Sequence, residues 1–407
     1  MTYTLSPPSN IKTTILLPAS KSISNRALIL NALSKNSYTV ENLSDSDDTK
    51  VMLKAFESNN PIIDIGAAGT SMRFLTAYLS QLKEEYTITG TERMKNRPIQ
   101  ILVEALRQLG AEIGYIEKEG YPPLRIKGKK LKGGSISLNG NVSSQYISAL
   151  MMIAPYMEEG LTIHLEGNII SKPYIQMTIQ LMEDYGVNTT WEGQIIQICP
   201  QSYQPTAFCV ESDWSAASYW YEIMALSENN SSVELLGLKK DSVQGDAAGA
   251  KLFDLLGVQT TFTSRGIVLS KSQPKLTKIL EYDFINEPDL TQTFVVTCCL
   301  SNIPFRFTGL QSLRIKETDR ILALQTEMQK LGYIIEAKSD CMEWTGKRCQ
   351  TSNSPIISTY EDHRMAMAFA PACLRIGTLM IAEPSVVSKS YPNFWEDLRK
   401  TGFSISG

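Results

Sequence analysis

The sequence predicts an α/β protein built from six similar units of about 70 residues, and two interleaved recurrences predict it. In the first, a helix ends at a glycine and runs into a strand-like segment. In the second, a polar start leads into a helix that is apolar nearly all round. The 407 residues are 43% hydrophobic and 20% charged, which suits a chain with large cores and room for two or three ordinary domains.

The glycine-ended element occurs at Ala105-Leu-Arg-Gln-Leu-Gly110, Gln180-Leu-Met-Glu-Asp-Tyr-Gly186 and Lys251-Leu-Phe-Asp-Leu-Leu-Gly257. It returns at Met328-Gln-Lys-Leu-Gly332 and Asp397-Leu-Arg-Lys-Thr-Gly402, with the glycines 70 to 76 residues apart. Glycine adopts the left-handed conformation that ends a helix, so each marks a stop. A degenerate copy, Val51 to Asn60, ends in Asn. These helices are amphipathic and are expected to face solvent on one side.

The second element has six copies, opening at Ser20-Lys-Ser-Ile, Gly69-Thr-Ser-Met, Ser143-Ser-Gln-Tyr, Asp213-Trp-Ser-Ala, Asp289-Leu-Thr-Gln and Asp362-His-Arg-Met. Their apolar continuations predict burial. Each unit therefore reads as strands plus two helices. Six such units make either one ring or two clusters of three.

Composition excludes several function classes. A net charge of −3 lacks the basic excess of a nucleic-acid binder. No run of about 18 apolar residues predicts a membrane span. Met1 to Asn10 is polar and does not read as a signal peptide. Seven scattered cysteines without a C-x-x-C pair fit free thiols in a reducing cytoplasm. With only His164 and His363 present, histidine-based metal chemistry is not expected.

Polar residues gather where the buried helices begin. A helix N-terminus offers unpaired N–H groups and partial positive charge, so it attracts anions. Lys21, Ser22 and Arg26, Thr70 and Arg73, Ser143, Ser144 and Gln145, and His363 and Arg364 add cations and hydroxyls at these starts. One such start would be ordinary capping, but arginines in first turns across several helices point to an anionic ligand. Arg97 precedes a proline-started helix, and Arg314-Ile-Lys316-Glu317-Thr-Asp319-Arg320 packs five charges into seven residues. Such a run ordinarily means a solvated helix face. Lys389 follows in Ser388-Lys-Ser-Tyr-Pro.

The chain resembles the 5-enolpyruvylshikimate-3-phosphate synthase family from end to end. The matching pieces are Leu17-Pro-Ala-Ser-Lys-Ser-Ile-Ser-Asn-Arg26, Ala68-Gly-Thr-Ser-Met-Arg73, Lys95-Asn-Arg-Pro-Ile99, Ser143-Ser-Gln145, Ser171-Lys-Pro-Tyr174, Arg314-Ile-Lys-Glu-Thr-Asp-Arg320 and Asp362-His-Arg-Met-Ala366. Any one is weak; their order and spacing together are specific.

The resemblance implies a two-domain inside-out α/β barrel, each domain three repeats of a βαβαββ unit. One domain is expected at 20–211, and the other combines 1–19 with 212–407, closing over a cleft. By the same resemblance, Lys21, Ser22, Arg26, Ser143, Ser144, Gln145, Ser171, Tyr174, Asp289, Ser312 and Lys316 hold shikimate 3-phosphate. Phosphoenolpyruvate meets Lys21, Gly69, Arg97, Gln145, Arg320, Arg364 and Lys389. The 5-hydroxyl adds to C2 of phosphoenolpyruvate while C3 gains a proton, and the tetrahedral ketal then loses phosphate. Asp289 is the candidate base, with Glu317, Lys21 and Lys389 as candidates for the C3 proton. The expected protein is a cytoplasmic monomer without cofactor or metal, with small-molecule substrates and no nucleic-acid or membrane partner.

Ala67 stands where the family usually has Asn, Phe74 where it has Pro, and Ser312 where an Asn often contacts the shikimate. Gly69 is retained, and sensitivity to glyphosate, the family's inhibitor, is expected. The nearest rival is the enolpyruvyl transferase acting on UDP-N-acetylglucosamine. It carries Lys-Asn where this chain has Lys21-Ser22, and commonly a catalytic cysteine on a loop. A non-catalytic scaffold is disfavoured by Asp289, Glu317 and Lys389.

Overall fold

A computed structural model describes residues 1–35, 38–228, 230–276, 278–352 and 354–407. The chain divides into two compact units, Ala19–Val210 and Met1–Pro18 joined to Glu211–Gly407.

In Ala19–Val210, the helices Lys21–Leu33, Gly69–Leu79, Ser144–Ile153 and Lys172–Asp184 pack on one another. Ser144–Ile153 buries every residue except Gln145, so this helix has no solvent face. One sheet runs in the order Ile62–Asp64, Glu85–Thr89, Leu124–Lys127, Glu112–Tyr115. The other runs Gly134–Asn139, Leu161–Glu166, Ile195–Ile198, Thr190–Glu192. Strand alternation is plain in Gly134–Asn139, where Ile136 and Leu138 point inward between exposed Ser135, Ser137 and Asn139.

The other unit holds three sheets with the same pattern of parallel and antiparallel neighbours. Their orders are Lys12–Leu16, Ser232–Leu236, Gly266–Lys271, Val258–Phe262; Leu280–Asp283, Phe305–Thr308, Met342–Trp344, Glu336–Ala337; and Ile356–Ile357, Leu379–Ala382, Thr2–Ser6, Ser404–Ser406. In all five sheets the first two strands are parallel and the remaining neighbours antiparallel. Thr2–Ser6 and Lys12–Leu16 complete two sheets whose other strands come from far along the chain. Backbone pairing thus ties the N-terminal segment to this unit.

Helices Trp214–Leu226, Thr291–Leu300 and His363–Phe369 pack together inside it. All of Thr291–Leu300 is buried, and Trp214–Leu226 leaves only Ser215 partly accessible. Phe253 lies 4.3 Å from Phe294 and Phe284 4.9 Å from Phe307, centroid to centroid. Each such side chain contributes about 1.5–3 kcal/mol on burial. The Thr297 hydroxyl donates to the Thr293 carbonyl at 2.7 Å, which lets a polar side chain sit in this interior.

The glycine stops share one geometry: Gly110, Gly186, Gly257, Gly332 and Gly402 have φ between 82° and 102°. At Gly257 a Cβ would also come within 2.6 Å of the Ser272 carbonyl oxygen, so neither conformation nor space admits another residue. The helices before them are two-faced. Gln100–Gln108 buries Leu102, Val103, Ala105 and Leu106 and exposes Glu104, Arg107 and Gln108. No helix among the described residues is long and apolar enough to cross a membrane.

Candidate active site

In the unit completed by Glu211–Gly407, three helix starts bring carboxylates and guanidiniums together. Pro288 opens a single 3-10 turn, Pro288–Leu290, which runs directly into helix Thr291–Leu300. Leu290, not Asp289, therefore occupies the cap position, and the Asp289 carboxylate turns to arginines instead. Asp319 caps helix Arg320–Lys330 through Leu322 N at 3.1 Å. Asp362 caps His363–Phe369 through Arg364 N at 2.9 Å. Each cap sets an arginine in a first turn.

Arg320 is only 2% exposed and faces three acids. Its Nε lies 2.7 Å from Asp362, Nη1 2.9 Å from Asp289 and Nη2 2.8 Å from Glu317. Arg364 Nη2 meets Asp289 Oδ2 at 2.9 Å, and Lys316 Nζ lies 3.9 Å from Asp289 Oδ1. Arg364 Nη1 also donates to the Tyr219 hydroxyl at 3.4 Å. Burial favours the neutral form of Asp289, but Arg364, Lys316 and Arg320 outweigh it and hold the carboxyl far below the usual range.

The charge run from Arg314 to Arg320 is not the solvated helix face expected of it. It passes from the 3-10 helix Gln311–Ile315 through a turn into a new helix, and its last member is buried. The reason is the Asp319 cap, which starts the helix at Arg320 and aims that side chain inward at Asp289 and Asp362. Lys389 ends the 3-10 helix Pro384–Lys389 and donates to the Glu361 carbonyl at 2.8 Å, one residue from Asp362. Ser312 is half-buried in Gln311–Ile315, with no hydrogen bond to the Asp289 group among the described residues.

Ala19–Val210 carries two further groupings. The first surrounds Arg26. Its Nε donates to Thr178 Oγ1 at 2.8 Å, Nη1 to the Ser22 carbonyl at 2.8 Å, and Nη2 to Ser148 Oγ at 3.1 Å and the Tyr174 carbonyl at 3.4 Å. The guanidinium also lies 5.3 Å from the Phe74 ring centroid. Burial lowers its pKa to about 10, so it stays a cation at neutral pH. Four of the five guanidinium N–H donors are thus taken by the protein, which makes Arg26 a joint between helices Lys21–Leu33 and Lys172–Asp184. Lys21 is the first residue of its helix, behind the Ser20 cap. Ser171 precedes helix Lys172–Asp184 at φ 53°, a conformation uncommon for serine and enriched at functional sites.

The second grouping lies at the start of helix Gly69–Leu79. Gln145 Nε2 donates to Thr70 Oγ1 at 3.1 Å, and Arg73 Nη1 donates to Gln145 Oε1 at 2.6 Å. Ser143 caps the helix that begins at Ser144 and carries Gln145. A Cβ built on Gly69 would stand 2.5 Å from Arg97 Nη1, 3.0 Å from Arg97 Cζ and 3.2 Å from Arg73 Nη1. Two guanidiniums therefore meet over one helix N-terminus, an arrangement that calls for an anion. Thr70 N points to Asp48 Oδ1 at 3.3 Å.

Arg73, Asp48, Tyr219 and Asp362 are site neighbours that were not in the expected set. Arg73 and Asp362 were visible as polar members of helix starts, but contacts such as Arg320–Asp362 span 42 residues and leave no local signal.

The sequence model described as EPSP synthase (3-phosphoshikimate 1-carboxyvinyltransferase) matches residues 5–58 and 53–398. A 3-phosphoshikimate 1-carboxyvinyltransferase of Bacteroides fragilis is 60% identical over 407 residues, covering 100% of this chain and 99% of that protein. The protein of that name from Pasteurella multocida is 37% identical, covering 97% of this chain and 96% of its own length. EPSP synthase from Acinetobacter baumannii, solved at 2.37 Å, superposes with a TM-score of 0.79 at 22% identity over the whole of both chains, which shows a shared fold. The chain belongs to the EPSP synthase (3-phosphoshikimate 1-carboxyvinyltransferase) family.

Proposed function

We infer that this protein transfers the enolpyruvyl group of phosphoenolpyruvate to the 5-hydroxyl of shikimate 3-phosphate and releases phosphate. The observation that carries this reading is the Asp289 carboxylate held between Arg320 and Arg364 at helix starts, in a chain that matches the family along its length. Both substrates are polyanions, and arginine pairs bidentately with carboxylate and phosphate.

In this reading Lys21, Gly69, Arg97, Gln145, Arg320, Arg364 and Lys389 take phosphoenolpyruvate. Shikimate 3-phosphate is held by Lys21, Ser22, Ser143, Ser144, Gln145, Ser171, Tyr174, Asp289, Ser312 and Lys316. Arg26 joins this set by fixing Ser22 and Tyr174, both of whose carbonyls it bonds. Each domain carries three βαβαββ repeats in an inside-out barrel. The protein works as a cytoplasmic monomer.

The cluster geometry supports a base that strengthens when substrate arrives. Asp289 pairs with Arg364 and shares Arg320 with Glu317 and Asp362. A substrate carboxylate accepting from these arginines weakens their hold on Asp289 and raises its proton affinity. The 5-hydroxyl then loses its proton to Asp289 as its oxygen bonds to C2. Glu317, held to Arg320 at 2.8 Å, serves proton exchange at C3 with Lys21 or Lys389. Surrounding carboxylates stabilise positive charge developing at C2.

The test is phosphate release from phosphoenolpyruvate with shikimate 3-phosphate or UDP-N-acetylglucosamine as acceptor. Release with the first alone is expected; release with the second alone would reject the reading.

A further inference from the structure

Asp246 lies on the 3-10 helix Gly245–Ala248, which packs against helix Trp214–Leu226. Its side chain is almost fully enclosed, with 5% of the residue exposed. One oxygen, Oδ2, accepts a hydrogen bond from Ser215 Oγ. The other, Oδ1, is buried without a hydrogen-bond partner, and no cation lies within ion-pair distance of either among the described residues. Interior carboxylates normally carry a cation or two or three donors. Asp246 has one hydroxyl, that of Ser215, which stands one helical turn before Tyr219; the Tyr219 hydroxyl accepts from Arg364 at 3.4 Å, and Arg364 in turn holds Asp289, so Asp246 adjoins that pair.

We propose that Asp246 is a positioning residue for the reaction, a buried carboxyl whose gain and loss of a proton sets the strength of Asp289 as a base and the hold of Arg364 on an anion. This rests on the enolpyruvyl-transfer reading above. It differs from Asp289 and Glu317 in acting through its charge, without touching substrate.

The groups that face it fix the sign. Burial and the charge of Asp289 raise its pKa, Arg364 and the Ser215 hydrogen bond lower it, and Asp213 at the start of helix Trp214–Leu226 raises it again. The balance lies at about 7. Tyr282, hydrogen-bonded to Glu287 at 3.0 Å, also feels the Asp246 charge but carries none of its own near neutrality. Below neutrality Asp246 is an uncharged acid: Arg364 acts on Asp289 and an incoming anion, and Asp289 is a weak base. Above it, the new negative charge strengthens Asp289 and repels the anion. Turnover and KM for phosphoenolpyruvate therefore rise together with pH. Bound substrate adds negative charge, so the transition in kcat falls above that of the free protein.

The experiment measures kcat and KM for phosphoenolpyruvate from pH 6 to 9.5 in the wild type, Asp246→Asn and Ser215→Ala. The wild type is expected to show one rise in kcat. Asp246→Asn should be flat, with kcat at high pH down about tenfold and KM also down several-fold. Ser215→Ala removes a bond that favours the ionised form, so it should keep the rise and move it to higher pH. A variant that had lost only packing would raise KM or lower kcat at every pH. Parallel profiles for wild type and Asp246→Asn would overturn the proposal. Should Asp246→Asn not fold, a Ser215→Ala profile superposing on the wild type would do so. A wild type inactive with shikimate 3-phosphate at all pH values would instead overturn the functional reading.

Discussion

Glu222 offers a stability test that is independent of the chemistry. It lies in helix Trp214–Leu226, fully buried, and neither carboxyl oxygen has a hydrogen-bond partner among the described residues. Burial pushes its pKa well above the ordinary range, so the folded protein holds it as a neutral acid. An unfolded chain releases that proton above a pKa of about 4.3. Folding above that pH must therefore take up a proton, and stability falls by about 1.4 kcal/mol per pH unit until the folded group itself ionises. The full penalty is about 1.4 kcal/mol for each unit by which the folded pKa exceeds the unfolded one. Below pH 4 both states are protonated and the penalty vanishes. Glu222→Gln keeps the size and polarity of the neutral acid and removes the titration. The variant should match the wild type near pH 4 and gain steadily on it through neutrality. Urea unfolding followed by tryptophan fluorescence reads the relevant unit, since Trp214, Trp220, Trp344 and Trp395 lie in it and only Trp191 does not. A difference independent of pH, or one that turns against the variant as pH rises, would refute a buried neutral Glu222.

Gly69→Ala should displace Arg97, whose Nη1 would stand 2.5 Å from the new methyl. KM for phosphoenolpyruvate should then rise about tenfold with little change for shikimate 3-phosphate, and equal effects on both would remove Arg97 from the phosphoenolpyruvate site. Asp289→Asn should bind both substrates in calorimetry yet lose at least about a hundredfold in kcat, and near-normal turnover would exclude it as the base. Arg320→Lys cannot span Asp289, Glu317 and Asp362 at once, and should cost about 3–5 kcal/mol in denaturant titration. A variant as stable as the wild type would mean the three acids need no fork. Glyphosate at millimolar concentration should inhibit phosphate release, and unchanged activity would show that Ala67 or Phe74 has closed that site.

The helix starts were legible because capping chemistry is local. Asp213, Asp362 and Ser143 stand one residue before the helices they cap, and the glycine stops stand two residues past the ends of theirs. What escaped was direction. The run Arg314 to Arg320 reads as a solvated face when charge is counted along the chain. Its meaning changes once Arg320 is known to be buried among acids from three separate segments. Arg26 shows the opposite limit. The family motif marks it as a ligand, whereas its donors are mostly taken by Ser22, Ser148, Tyr174 and Thr178, three of them more than 120 residues away. Asp246 gave no signal at all, since a single aspartate after a glycine resembles any turn residue. It lacks a cation partner in an interior that supplies one to Asp289 and to Asp362. A partner that is missing can be found only where all the neighbours are known, which is why an electrostatic regulator is harder to read from sequence than a ligand contact.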